Sequence, residues 1–268
     1  MQQITKNVFV ETEFPGCNTS IIATSEGSII VDTPMVPSLA EMWASEARKR
    51  GGSIRYVING EPHTDHVAGN CWFGAPVIAA KGVREWIGRL TRKDLEGELS
   101  WMAPNTLPLT DDFHYRLPEF SVLDELYIHL GNHTLQLIVT PGHTPYNMAV
   151  YVPEEKVLFT SDNVVEGMPI FVHCAPAWLE SLKRLAQFDA EYVIRGHGSI
   201  GNKSSIKEMM ESVQYCFDEV KNAIQQGWSL EEACEKIDFS GRFPSIPGDP
   251  MAPIRKEGIT HLYELFAG

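Results

Sequence analysis

The segment Glu61-Pro62-His63-Thr64-Asp65-His66 brings two imidazoles and two carboxylates together just two residues after the apolar run Tyr56-Val57-Ile58. When a strand ends in an extended loop, alternate side chains point the same way, so several of these groups can reach one point. Imidazole nitrogen and carboxylate oxygen are ligands for zinc, iron and manganese. The segment therefore predicts a metal-binding loop.

Three later segments carry the same kinds of residue at the ends of predicted strands. His143 follows a Pro-Gly turn, Asp162 follows the run Phe159-Thr160-Ser161, and His197 lies between two glycines that allow close backbone approach. Each signal is weak when taken alone. Hydrogen bonding or helix capping could explain any one of them, but not so many at equivalent positions, so the set predicts one shared site.

The elements around these residues form two β-rich halves, each backed by helices. The first half contains strands at 7–10, 19–23, 28–31, 55–59 and 77–80, with a helix over 37–50 that we expect to bury Leu39, Met42, Trp43 and Ala47. The second half contains strands at 125–130, 133–139, 147–152, 156–160 and 192–195, and a helix over 177–188. Ser205 with Glu208, and Ser229 with Glu232, have the spacing of capping boxes that start two more helices.

This order of elements predicts an α/β fold, a four-layer sandwich with the site at one edge. We expect one domain over 1–268, with an inserted helical flap at 83–118 and a helical C-terminal tail at 203–268. The flap combines tryptophans and leucines with charged residues and is followed by prolines, so it is a candidate lid over the site.

Composition limits the classes of function. A chain of 268 residues that is 43% hydrophobic can bury a full core. Its formal net charge of −13 argues against a nucleic-acid partner, and no apolar run approaches the length of a membrane span. The N-terminal sequence lacks the pattern of a secretory signal, and five cysteines without framework spacing fit reduced thiols. We therefore expect a cytoplasmic protein with a small-molecule substrate; a homo-oligomer is compatible with the sequence.

Over residues 7 to about 226, the chain resembles the metallo-β-lactamase-fold hydrolase superfamily. The family's site pattern is His-x-His-x-Asp-His, then a His after Pro-Gly, a bridging Asp and a final Gly-His. The Pro-Gly-His-Thr and Gly-His-Gly strings are most similar to its glyoxalase-like and lactonase-like branches. The resemblance implies that Asp32 orients a ligand histidine. It also implies two metal ions, one held by Glu61, His63 and His143, one held by Asp65, His66 and His197, and both held by Asp162.

Glu61 departs from that pattern, because the family has histidine there. Two divalent cations carry four positive charges, of which two carboxylates and a bridging hydroxide cancel three. A ligated Glu61 cancels the fourth, which should raise the pKa of the bridging water and favour manganese or iron over the zinc expected otherwise. Alternatively, Glu61 stays unligated and the enzyme uses one metal. We favour ligation, because carboxylate oxygens bind such ions readily.

The resemblance implies a metal-dependent hydrolase in which a metal-bridging hydroxide attacks a small ester, lactone, thioester or amide. Asp65 would be catalytic, because it orients the nucleophile and can carry its proton. Two other hypotheses remain, a di-iron redox or oxygen-handling enzyme and a non-catalytic ligand-binding protein. His173 and Tyr146 could contact substrate, although solvent exposure and core packing, respectively, are the simpler interpretations.

Overall fold

Two β-sheets lie face to face in the computed structural model, which describes residues 1–166, 175–242 and 252–268. The first sheet has seven strands in chain order: β1 (Gln2–Gln3), β2 (Val8–Glu11), β3 (Thr19–Thr24), β4 (Gly27–Val31), β5 (Ile54–Ile58), β6 (Val77–Ala80) and β7 (Phe120–Val122). The second sheet has the order β12-β11-β10-β9-β8 and is built from β8 (Glu125–Leu130), β9 (His133–Val139), β10 (Met148–Val152), β11 (Val157–Ser161) and β12 (Tyr192–Arg195).

Helices cover the outer faces of both sheets. The helices of the described residues are α1 (Pro37–Gly51), α2 (Thr64–Val67), α3 (Val83–Ile87), α4 (Arg92–Met102), α5 (Ala175–Leu185), α6 (Lys203–Gln225), α7 (Leu230–Lys236) and α8 (Ala252–Ala267), and only some of them lie on these outer faces. Helix α1 packs on the first sheet, while α5 and α6 pack on the second. The layers therefore run helix, sheet, sheet, helix, which confirms the predicted four-layer α/β sandwich.

A large apolar cluster lies where the two sheets meet. Ile22, Ile58, Val150 and Phe159 are buried in this interface. All five residues of β10 are buried, because one face of the strand meets the other sheet and the opposite face meets helices. Strands covered on both faces become apolar throughout, so β10 lacks the alternation of a surface strand.

Two local predictions were wrong. Trp43 and Ala47 of α1 are buried as predicted, but Met42 is 50% exposed and Leu39 is only partly buried, and Ala40 and Ala44 complete the buried face instead. This face has the same helical spacing, and its small alanines let the helix approach the sheet closely.

The start of α6 is the second difference. The helix begins at Lys203 rather than Ser205, because Asn202 caps it: the Asn202 side chain accepts a hydrogen bond from the backbone N–H of Ser204. Ser205 completes this box by accepting the Asn202 N–H. The capping box of Ser229 and Glu232 at the start of α7 is confirmed.

The segment predicted as a flap contains α3, α4 and a 3-10 turn at Pro104–Thr106. Leu95 and Leu99 of α4 are fully buried against Met35 and Val36, which follow β4, so this segment packs on the body beside the site. Trp101 is 60% exposed. Within the described residues, no helix has the combined length and apolarity that crossing a bilayer requires.

Candidate metal centre

All the predicted ligands lie beyond the carboxyl ends of strands at one edge of the sandwich. Glu61 follows β5 in the first sheet, and His143, Asp162 and His197 follow β9, β11 and β12 in the second. Strands β9, β11 and β12 run in the same direction, because β10 is antiparallel to both of its neighbours and β12 is parallel to β11. The carboxyl ends of these three strands therefore lie at the same edge of the second sheet.

Backbone hydrogen bonds hold the two sheets together at this edge. The Met148 N–H donates to the Gly60 carbonyl at 2.7 Å, and the Asn18 N–H donates to the Gly196 carbonyl at 2.7 Å. A Cβ at Gly196 would overlap Asp162 Oδ1, so the absence of a side chain there lets the carboxylate reach the site. The loops from both sheets are thereby fixed relative to one another.

One group of ligand atoms comes from Glu61, His63, His143 and Asp162. His63 Nδ1 lies 2.7 Å from Glu61 Oε2 and 3.3 Å from His143 Nε2. His143 Nε2 also lies 3.6 Å from both Glu61 Oε2 and Asp162 Oδ2. Two ligand atoms held tetrahedrally at about 2.1 Å from an ion are about 3.4 Å apart, so these separations suit one metal ion.

A second group comes from Asp65, His66 and His197. His197 Nε2 lies 3.3 Å from Asp65 Oδ2 and 3.4 Å from Asp162 Oδ1. His66 Nε2 lies 3.8 Å from Asp65 Oδ2 and 3.3 Å from Asp162 Oδ1. Asp162 thus turns one oxygen toward each group, and all seven predicted ligands lie together as two adjacent sets.

Unsatisfied polar atoms support a cation at this point. Among the described residues, His66 Nε2 and Asp162 Oδ1 are fully buried and lack a hydrogen-bond partner. Glu61 Oε2 is also buried, and its contact with His63 lacks the alignment of a hydrogen bond. Burying such atoms unpaired costs roughly 1–3 kcal/mol each. A donor set of imidazole nitrogens and carboxylate oxygens fits a divalent transition metal.

Asp32 lies behind the second group and accepts three hydrogen bonds. They come from the Gly60 backbone N–H at 2.7 Å, His66 Nδ1 at 3.0 Å and the Ser161 hydroxyl at 3.2 Å. A His66 that donates from Nδ1 keeps the lone pair of Nε2 for the site. This is the geometry expected for an acid that orients a ligand histidine.

Without a metal ion, burial and neighbouring charges shift the pKa values of the ligand side chains. Burial raises the pKa of Asp65, but the charges of His66 and His197 outweigh it and lower the pKa to about 2. Burial lowers the pKa of His63 and His197, but Glu61 raises the former to about 9, and neighbouring carboxylates raise the latter to about 10. These imidazoles are therefore protonated at neutral pH, and a metal ion that binds must displace their protons.

Glu98 of α4 also reaches this neighbourhood, which the sequence did not predict. It is half-buried and hydrogen-bonded to the side chain of Thr64, which accepts a hydrogen bond from the Tyr115 hydroxyl at 3.3 Å. Burial and the charge of Asp65 raise the pKa of Glu98 to about 8. In the sequence, Glu98 stands beside Leu95 and Leu99 as a surface glutamate of any amphipathic helix would. Nothing in the sequence therefore predicts its position beside the site.

We expect Glu98→Gln to stabilise the metal-free protein at pH 9 but not at pH 5. A carboxyl whose folded pKa is raised from 4.5 to about 8 loses stability as the pH rises through that interval, because the unfolded chain ionises first. Melting temperatures of chelator-treated protein at the two pH values test this. Glu96→Gln, on the same helix beside Arg92, is the matched control. An equal shift at both pH values would contradict the assignment.

Aromatic rings border the first group of ligands. Trp86 of α3 lies edge-on to His63 with ring centroids 5.7 Å apart, and Tyr146 lies 6.1 Å from Trp86. Cys17 donates its S–H to the Asp65 carbonyl at 3.1 Å, and burial raises the pKa of the Cys17 thiol to about 12, so it is no nucleophile. His173 lies outside the described residues.

Comparison with known proteins agrees with this geometry. A family model described as the metallo-beta-lactamase superfamily matches residues 12–197. The beta-lactamase-like protein 2 homolog of Caenorhabditis elegans is 27% identical over 191 residues, which cover 70% of this chain and 58% of that protein. The atrochrysone carboxyl ACP thioesterase of Aspergillus fumigatus is 22% identical over 189 residues, 69% of this chain and 38% of that protein. The chain thus spans about half the length of these relatives.

A solved structure extends the similarity to nearly the whole chain. A metallo-beta-lactamase family protein from Thermus thermophilus superposes with a TM-score of 0.70 at 18% identity. The match covers 98% of this chain and 94% of that one. At this level of identity the likeness establishes the fold.

Proposed function

Because the chain belongs to the metallo-beta-lactamase superfamily, we propose that it is a metal-dependent hydrolase of a small ester, thioester, lactone or amide. The observation that carries this proposal is the convergence of seven side chains from both sheets into two adjacent ligand sets. Among the described residues, three atoms of this set, Glu61 Oε2, His66 Nε2 and Asp162 Oδ1, are buried without a hydrogen-bond partner. A paired site of this kind is suited to hydrolysis of a carbonyl compound.

Under this proposal, Glu61, His63 and His143 would hold one metal ion, Asp65, His66 and His197 the other, and Asp162 both. The ions would polarise the substrate carbonyl and make water acidic enough to act as a nucleophile. Zinc is the first candidate, and the third carboxylate makes manganese and iron the alternatives.

The protein's own groups would supply orientation and proton transfer. Asp65 is ionised at neutral pH, so it can accept a proton from the attacking water. The same carboxylate can hold that water in line with the carbonyl carbon. Asp32 fixes the ring of His66, so the ligand nitrogen keeps its direction during turnover. Trp86 and Tyr146 offer an apolar wall for the acyl group.

A thioester is a reasonable test substrate, since one similar protein is named a thioesterase. Protein purified from unsupplemented cells should contain about two metal ions per chain and hydrolyse at least one compound from a panel of thioesters, lactones and aryl esters. Chelation should abolish this turnover, and zinc or manganese should restore it. Two irons with visible absorbance would favour the redox hypothesis, and a folded protein that binds no metal would favour the ligand-binding one.

Glu61→His is expected to lower the pH midpoint of hydrolysis by about one unit. The change replaces a negative ligand with a neutral one, so the site becomes more cationic and the attacking water loses its proton at a lower pH. The midpoint is read from the acid limb of the kcat profile with saturating metal. Glu96→Gln is the control, and an unchanged midpoint in Glu61→His would show that Glu61 does not contact the metal.

A further inference from the structure

The two oxygens of Glu61 point toward different ligand groups. Oε2 lies 2.7 Å from His63 Nδ1 and 3.6 Å from His143 Nε2, both in the first group. Oε1 lies 3.6 Å from His66 Nε2, which belongs to the second. The side chain is fully buried, so its position is determined by these contacts and not by solvent.

A backbone hydrogen bond holds the Glu61 carboxylate in this orientation. The His63 N–H donates to Oε1 at 2.8 Å, which fixes the plane of the carboxylate between the two groups. Each carboxylate oxygen has two acceptor sites, so Oε1 can accept this hydrogen bond and still bind a cation. Oε2 has no aligned donor at all among the described residues.

Asp162 shows the same arrangement from the opposite sheet. Its Oδ1 lies 3.3 Å from His66 Nε2 and its Oδ2 lies 3.6 Å from His143 Nε2. Glu61 and Asp162 therefore face the same two histidines with one oxygen each. The geometry points to Glu61 as a second bridging ligand, which binds both metal ions and not only the first.

A histidine at this position could not do the same, since an imidazole directs one ring nitrogen at a site while a carboxylate has two oxygens. Two bridging carboxylates would make each ion strengthen the binding of the other, because each carboxylate uses both of its oxygens as ligands only when both ions are bound. They would also favour manganese or iron, which prefer oxygen donors more than zinc does. This inference rests on the two metal ions of the proposed function. It adds that the two ions bind cooperatively.

Titration of the metal-free protein with Mn(II), followed by electron paramagnetic resonance, tests the bridge without an activity assay. At one Mn(II) per chain, we expect wild-type protein to show mainly the exchange-coupled pair. In Glu61→His, which keeps one donor, we expect mainly the single-ion signal and a ratio of second to first dissociation constants that rises about tenfold or more. Glu61→Gln, nearly isosteric but with a single oxygen donor, should behave like Glu61→His.

Glu96→Gln should load like wild type, and circular dichroism of each variant separates loss of folding from loss of the bridge. Sequential single-ion loading of wild-type protein would overturn the inference and leave the two-metal hydrolase intact. Identical loading curves for wild type and Glu61→His would do the same. If wild-type protein binds neither manganese, zinc nor iron, the proposed function fails, and the bridge fails with it.

Discussion

Asp162→Asn is expected to lower kcat about 1000-fold or more and to leave the protein with substantially less than two bound metal ions. Asp162 supplies one oxygen to each ligand group, and asparagine replaces one of these oxygens with an NH₂ donor that repels a cation. The change also removes a negative charge beside the imidazoles of His66 and His197. Both effects weaken the binding of both metal ions.

Metal content by mass spectrometry and kcat at saturating metal are the two measurements. Asp189→Asn is the matched control, because Asp189 is exposed and pairs at 3.2 Å with Lys156, which lies at the opposite end of β11 from Asp162. It should keep full activity and metal. An Asp162→Asn protein with two bound ions and activity within tenfold of wild type would exclude a bridging role for this residue.

The sequence was sufficient to predict which side chains lie together at the edge of the sandwich, because most of them stand in short strings with restricted geometry. Pro141 restricts the backbone before His143, and the two glycines around His197 allow close backbone approach, so residue type and strand position indicated where these side chains lie. Strands β9 and β12 also have the predicted bounds. Apolar periodicity, which sets these bounds, is a local property of the chain.

What the sequence could not predict depends on contacts between distant segments. The position of Glu98 beside Thr64 follows from how α4 packs through Leu95 and Leu99, and nothing near residue 98 encodes that packing. The second oxygen of Glu61 is a similar case. A substitution in the motif indicates an altered ligand, but only the placement of His66 relative to Glu61 shows that the carboxylate faces both groups.

Asp65→Asn is expected to lower kcat about 100-fold to 10,000-fold, the range found when a positioned acid or base is removed. Asp65 Oδ2 faces His197. The pKa of this carboxyl lies far below 7, so it is ionised at neutral pH and can accept a proton. It is also a predicted metal ligand, and these two roles give different results. If Asp65 only binds metal, a large excess of metal should restore the rate by mass action.

If Asp65 also carries the proton of the attacking water, excess metal should restore the second ion but not the rate. We expect this second result, because asparagine can still offer a weak oxygen ligand but cannot accept a proton. Asp218→Asn on the exposed face of α6 is the matched control and should change neither value. Full recovery of kcat in Asp65→Asn at high metal would assign the proton to another group, and Asp162 would then be the carboxylate to test, since it also faces His197.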